Sequence, residues 1–126
     1  MRVWQATFSQ RETVEKKQHH TGIEQAEQLL LSGRERAAGN IAGVTLEMHL
    51  KKLCDMNHVP YHDKDGMQAL IRLLRDAEVI TPSEARRLTR LVSIRNKCAH
   101  ASSVSKDEVE LLIREVKKFV AWVDRQ

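Results

Sequence analysis

Apolar residues recur at three- and four-residue intervals along most of this chain, the period of helices that bury one face. Ile23, Ala26, Leu29, Leu30 and Leu31 mark a first stretch, opened by a capping signal at Thr21 and Glu24 and broken at Ser32-Gly33. A long helix is expected from about Arg34 to Asn57, with Ile41, Ala42, Leu46, Leu50 and Leu53 facing inward. Residues 59–66 form the clearest loop, punctuated by Pro60 and Gly66. Met67, Leu70, Ile71, Leu74 and Ala77 then predict a helix ending near Val79-Ile80. Thr81-Pro82-Ser83-Glu84 is a strong start signal: a capping threonine, proline at the first helical position and glutamate at the third. Leu88, Leu91 and Val92 give that helix its inner face, and Ala101-Ser102-Ser103 ends it. Ser105 with Glu108 caps a last helix whose apolar face is Val109, Leu112, Ile113, Val116, Phe119, Val120 and Val123. The pattern predicts an all-α, up-and-down bundle of about four to five helices.

The first twenty residues stand apart. They are polar and weakly patterned, read as an extension or as a short helix capped by Ser9 and Glu12 with Trp4 and Phe8 one turn apart. Within the long helix, Gly39 and Gly43 each cost about 1 kcal/mol relative to alanine. With Ala42 they offer a smooth surface on which another helix packs closely; simple tolerance of glycine is the alternative.

Composition narrows the class. At 126 residues the chain is expected to be a single domain, 1–126, with its core bundle over 22–124. An aromatic content of 4% argues against a β-sandwich or barrel, and 30% charged residues with five glycines suits helices. No apolar run is long enough to cross a bilayer and no signal-peptide core opens the sequence, so no membrane association is expected. Two cysteines, Cys54 and Cys98, fit a reducing cytoplasm rather than a disulfide framework. The net charge of +4 permits an anionic partner without requiring one. Its distribution says more, because Arg72, Arg75, Arg86, Arg87, Arg90, Arg95 and Lys97 gather on the segment that ends at His100.

That segment closes on Arg95-Asn96-Lys97-Cys98-Ala99-His100. Arg95 falls on the apolar stripe, seven residues after Leu88 and three after Val92, where a charge must meet a partner, line a cleft or sit at an interface. An arginine neutralises phosphate oxygens, a histidine moves protons near neutral pH, and an asparagine can hold a ligand or the imidazole. Asn96 and His100 share a helix face, whereas Arg95 and His100 are five apart, about 140° around the helix. Read from these residues alone, the set is better explained by a structural arginine that caps carbonyls and a solvated terminal histidine, since an isolated Arg-x4-His spacing is common by chance. Glu47 on the long helix either reaches Arg95 as an ion-pair partner or faces water. Arg86, Arg87 and Arg90, with Lys97, could track a nucleic-acid backbone, a solvated basic face being the alternative. Cys54, His58 and His62 are four apart, as a zinc site would need, but Pro60 breaks the helix that would align them and no fourth ligand is patterned. No metal and no cofactor are therefore expected, and His19-His20 reads as surface.

Arg95-Asn96-Lys97-Cys98-Ala99-His100 matches the Arg-x4-6-His motif of the HEPN superfamily, including the polar residue after the arginine, and the chain resembles that superfamily over about residues 22–124 in helix order. The stretch 36–47 resembles the long helix that often opens those bundles. The resemblance implies a homodimer whose two motifs line a shared cleft, and in its catalytic members a metal-independent endoribonuclease of toxin or defence type. It implies that His100 takes the proton from a ribose 2′-hydroxyl, that Arg95 stabilises the phosphorane, and that Asn96 orients His100 or the phosphate. RNA is the implied substrate, with a cognate antitoxin or a larger defence system as a further partner. Other members are non-catalytic modules that bind nucleotide, RNA or a protein partner, and that alternative stays open here.

Overall fold

The computed structural model describes residues 21–100 and 102–126, which form five helices and no strand: α1 (Thr21–Leu31), α2 (Glu35–Met56), α3 (Met67–Asp76), α4 (Pro82–Ala99) and α5 (Lys106–Asp124). The readings placed on Trp4, Phe8, Ser9, Glu12, His19, His20 and Ala101 lie outside the described residues. The fold is an all-α bundle, as the apolar period predicts.

The 22-residue α2 is about 33 Å long at 1.5 Å per residue and touches all four other helices. Its inner residues Ala42, Leu46, Leu50 and Leu53 are wholly buried, and they meet Leu70 and Leu74 of α3, Leu88 of α4 and Val109, Leu112, Val116 and Phe119 of α5 in one core. Burying side chains of this size contributes about 1.5–3 kcal/mol each, which is what holds a bundle with few interhelical polar contacts. Phe119 and Trp122 stack within α5 with ring centroids 6.1 Å apart. At the end of α5 the nearly buried Asp124 carboxylate receives Lys52 Nζ at 2.8 Å and faces His49 Nε2 at 3.6 Å, tying α5 to α2.

The starts of the last two helices follow the sequence signals closely. Thr81 Oγ1 accepts from Glu84 N at 3.1 Å while Glu84 Oε1 accepts from Thr81 N at 2.8 Å. Ser105 and Glu108 repeat the arrangement at 3.1 and 3.0 Å. Each box satisfies backbone donors that a helix start leaves open.

The ends differ more. Gly33, at φ +80°, closes α1 as expected, but Leu31 is 81% exposed and not on the buried face, because its helix terminates there. α3 stops at Asp76, short of Val79-Ile80. Glu78 adopts the left-handed conformation at φ 59° and Val79 N donates back to Leu74 O at 2.9 Å, so the chain turns and Ala77 stays exposed. α2 ends in the same way, with His58 at φ 57° and Val59 N donating to Cys54 O at 2.9 Å. No helix among the described residues is long and apolar enough to cross a membrane.

Candidate functional site

The Arg95–His100 motif occupies the last turns of α4, where that helix crosses α2 at its two glycines. A Cβ on Gly39 would lie 2.3 Å from Cys98 Sγ and 3.1 Å from Cys98 Cβ. A Cβ on Gly43 would lie 2.3 Å from Arg95 Cγ and 2.9 Å from Arg95 Nε. These are close-approach glycines, not tolerated ones: the absent side chains let α4 settle onto α2 and give the Arg95 stem its berth.

Arg95 is half-buried. Its Nε is shut away from solvent with no hydrogen-bond partner, and one terminal nitrogen donates to Asn96 Oδ1 over 3.4 Å. Among the described residues no carboxylate lies within ion-pair distance of it. The Glu47 partnership does not form; Glu47 pairs with Lys51 at 3.4 Å, one turn further along its own helix. A buried N–H without a partner costs about 1–3 kcal/mol, so this guanidinium is poorly satisfied among the described residues.

Asn96 and His100 are exposed on the same face of α4. The Asn96 side chain meets Arg95, and its backbone carbonyl accepts the His100 N–H at 3.0 Å. Asn96, on the face that carries His100, is thus the side chain the guanidinium contacts. His100 itself is the residue that ends the helix, at φ −110° and ψ 25°.

A residue without any local signal completes the setting. Arg36, at the start of α2, donates to Lys97 O at 2.9 Å, to Cys98 O at 3.4 Å and to Ser102 O. One cation thus satisfies the open carbonyls of α4 and straddles His100 from both sides, in the position where a helix end favours positive charge. Only its place 61 residues from Lys97 hid it, since nothing local to Arg36 marks it as a cap.

Lys97 is engaged. Its Nζ lies 2.7 Å from Glu108 Oε2, and this hydrogen bond, ahead of the Ser105 backbone contact, holds the Glu108 carboxyl below its ordinary value. Cys98 is buried against Gly39, and burial pushes its thiol up, more than the neighbouring Arg36 and Arg95 cations pull it down. Arg86, Arg87 and Arg90 are exposed. Arg86 lines a groove of ≈ 460 Å³ between α3 and α4, together with Arg72 and Arg75.

Cys54, His58 and His62 do not come together. α2 ends at Met56, His58 turns into the left-handed region, and Cys54 is buried with its thiol raised to about 11, first by burial and then by Asp55. Among the described residues no group of three or more His, Cys, Asp or Glu side chains could hold a metal ion.

The model of a family described as a domain of unknown function (DUF4145) matches residues 24–124, and the chain belongs to that family. No curated protein and no solved structure matches it.

Proposed function

We propose that this member of the DUF4145 family is a cytoplasmic, metal-independent endoribonuclease of toxin or defence type, working as a homodimer at Arg95, Asn96 and His100. The observation that carries the reading is the state of Arg95: a half-buried guanidinium that has, among the described residues, an orphaned Nε and no carboxylate partner, and that contacts the exposed face bearing His100. The terminal nitrogens of such a guanidinium suit an anion that arrives from solvent, and two phosphate oxygens fit their planar fork. The likeness of 95–100 to the HEPN motif supports the same assignment.

In the reaction, His100 accepts the proton of a ribose 2′-hydroxyl as its oxygen attacks the adjacent phosphorus. Arg95 stabilises the charge that builds on the phosphorane oxygens, where a preorganised donor is worth most. The P–O5′ bond breaks, the 5′-oxygen is protonated by water, and a 2′,3′-cyclic phosphate remains. Asn96 holds the guanidinium towards the reaction. None of these steps calls on a metal. Val44 and Met48 of α2, 55% and 62% exposed, are the apolar surface on which a second copy would dock.

A second reading, a module that binds nucleotide, RNA or a protein partner without cutting, is favoured by one contact: the Asn96 side chain serves Arg95, and among the described residues none holds the imidazole of His100. Cleavage in excess EDTA separates the two. Wild-type protein should cut RNA to 2′,3′-cyclic and 5′-hydroxyl ends, and His100→Ala and Arg95→Ala should abolish cutting at unchanged helicity. RNA that stays intact while Arg95→Ala weakens its binding would establish the second reading instead.

A further inference from the structure

The groove between α3 and α4 lies away from the motif, yet one face of α4 joins them. At about 100° per residue, Pro82, Arg86, Thr89, Ser93, Asn96 and His100 fall within about 80° of one another around the helix, and all six are exposed. The first three of them form the α4 wall of the groove. Gln68, Arg72 and Arg75 form the α3 wall, with Ile71 and Ala85 nearly buried at the floor. Thr89 Oγ1 and Gln68 Oε1 meet across it at 3.4 Å.

Its charge is one-sided. Among the described residues three arginines line the groove and no acidic side chain does. Arg75 pairs with Asp76 at 3.6 Å, whereas among the described residues neither Arg72 nor Arg86 has a carboxylate within ion-pair distance. Arginine forks above an apolar floor suit phosphates with sugars or bases beneath them. From Thr89 to His100 is eleven residues, about 16 Å along the helix.

We propose that this groove is a backbone subsite for an RNA strand whose scissile phosphate lies at Arg95–His100, the strand running along the outer face of α4. The proposal rests on the ribonuclease reading of the motif. Continuity of the groove with that face favours a polynucleotide over an acidic peptide. A dinucleoside monophosphate carries one phosphate and fills the motif or the groove, whereas a longer strand fills both.

The test uses the full chain and two probes: an uncleavable 2′-O-methyl oligonucleotide for binding by fluorescence anisotropy, and a dinucleoside monophosphate for cleavage. Arg72→Ser/Arg86→Ser removes two exposed side chains that hold no other side chain among the described residues, and Arg114→Ser on α5 is the charge control. Losing two phosphate contacts should flatten the slope of log K against log salt by about 1.4. Arg114→Ser should leave both that slope and dinucleotide cleavage in place. An unchanged slope, or a polyglutamate peptide that displaces the oligonucleotide at equal charge concentration, would overturn the proposal. If no RNA is cut but the slope still falls with Arg72 and Arg86, the ribonuclease reading fails and the groove stands as a strand-binding site.

Discussion

Adding one methyl group to each glycine at the α2–α4 crossing should separate stability from function. Alanine gains about 1 kcal/mol over glycine in a helix interior, and overpacking a tight contact costs about 1–3 kcal/mol. At Gly39 the new Cβ meets Cys98 Sγ at 2.3 Å, with Leu112 Cδ2 at 3.8 Å behind it, and both neighbours are buried. Cys98 is too short to swing away, so Gly39→Ala should lose up to about 2 kcal/mol net. At Gly43 the new Cβ meets the Arg95 stem at 2.3 Å, but that side chain is half-buried and can leave. Gly43→Ala should therefore stay within about 1 kcal/mol of wild type while evicting the guanidinium. Losing a charge-assisted hydrogen bond worth about 1.5–3 kcal/mol would then weaken RNA or phosphate binding roughly 10- to 100-fold. Urea unfolding and binding titrations on the same two variants supply both readings. Cys98→Ala should rescue Gly39→Ala in a double-mutant cycle, because it removes the closest atom. Equal destabilisation by the two variants, or full binding by Gly43→Ala, would refute the berth assigned to Arg95.

Glu78→Gly should stabilise the fold by about 0.5–1 kcal/mol in chemical denaturation, since glutamate at φ 59° carries a penalty that glycine does not. Thr81→Ala should cost about 1 kcal/mol by removing half of the α4 capping box, and Thr81→Ser should recover most of it. The Glu108 carboxyl titrates lower in the folded chain than its ordinary 4.5, so its stabilisation is present above that value and is lost as pH falls through the lowered one. Thermal unfolding followed down this window should show a shallower acid loss for Lys97→Met than for wild type; equal slopes would mean that the Lys97–Glu108 contact is not what lowers the carboxyl.

What the sequence discloses and what it conceals divides by chain distance. Both capping boxes, the Gly33 break and every apolar position named on α5 are written in neighbouring residues, and they stand where the period puts them. The end of α2 falls within a residue of the expected Asn57, whereas the end of α3 is hidden because Glu78 takes a conformation that glycine usually signals. Arg95 was legible as a charge on an apolar stripe, but its berth depends on Gly43, and the turn that presents His100 depends on Arg36. Both supports lie on α2, more than fifty residues upstream of the motif.

The dependence on α2 also bears on what a six-residue motif can mean. Arg95 and His100 point about 140° apart on an ideal helix, so the motif alone does not make a site. Three further features act on their surroundings: a glycine that lets the arginine stem cross inward, an asparagine that meets its head, and a second arginine that caps the carbonyls of the terminal turn. Each can be removed singly. Gly43→Ala and Asn96→Ala act on Arg95, whereas Arg36→Gln should act on His100 by releasing the Lys97, Cys98 and Ser102 carbonyls. Arg36→Gln should raise amide exchange in the last turn of α4 and leave the capped first turn unchanged. If exchange rises along the whole of α4, Arg36 holds the helix rather than its end, and the site would owe its geometry to the glycine crossing alone.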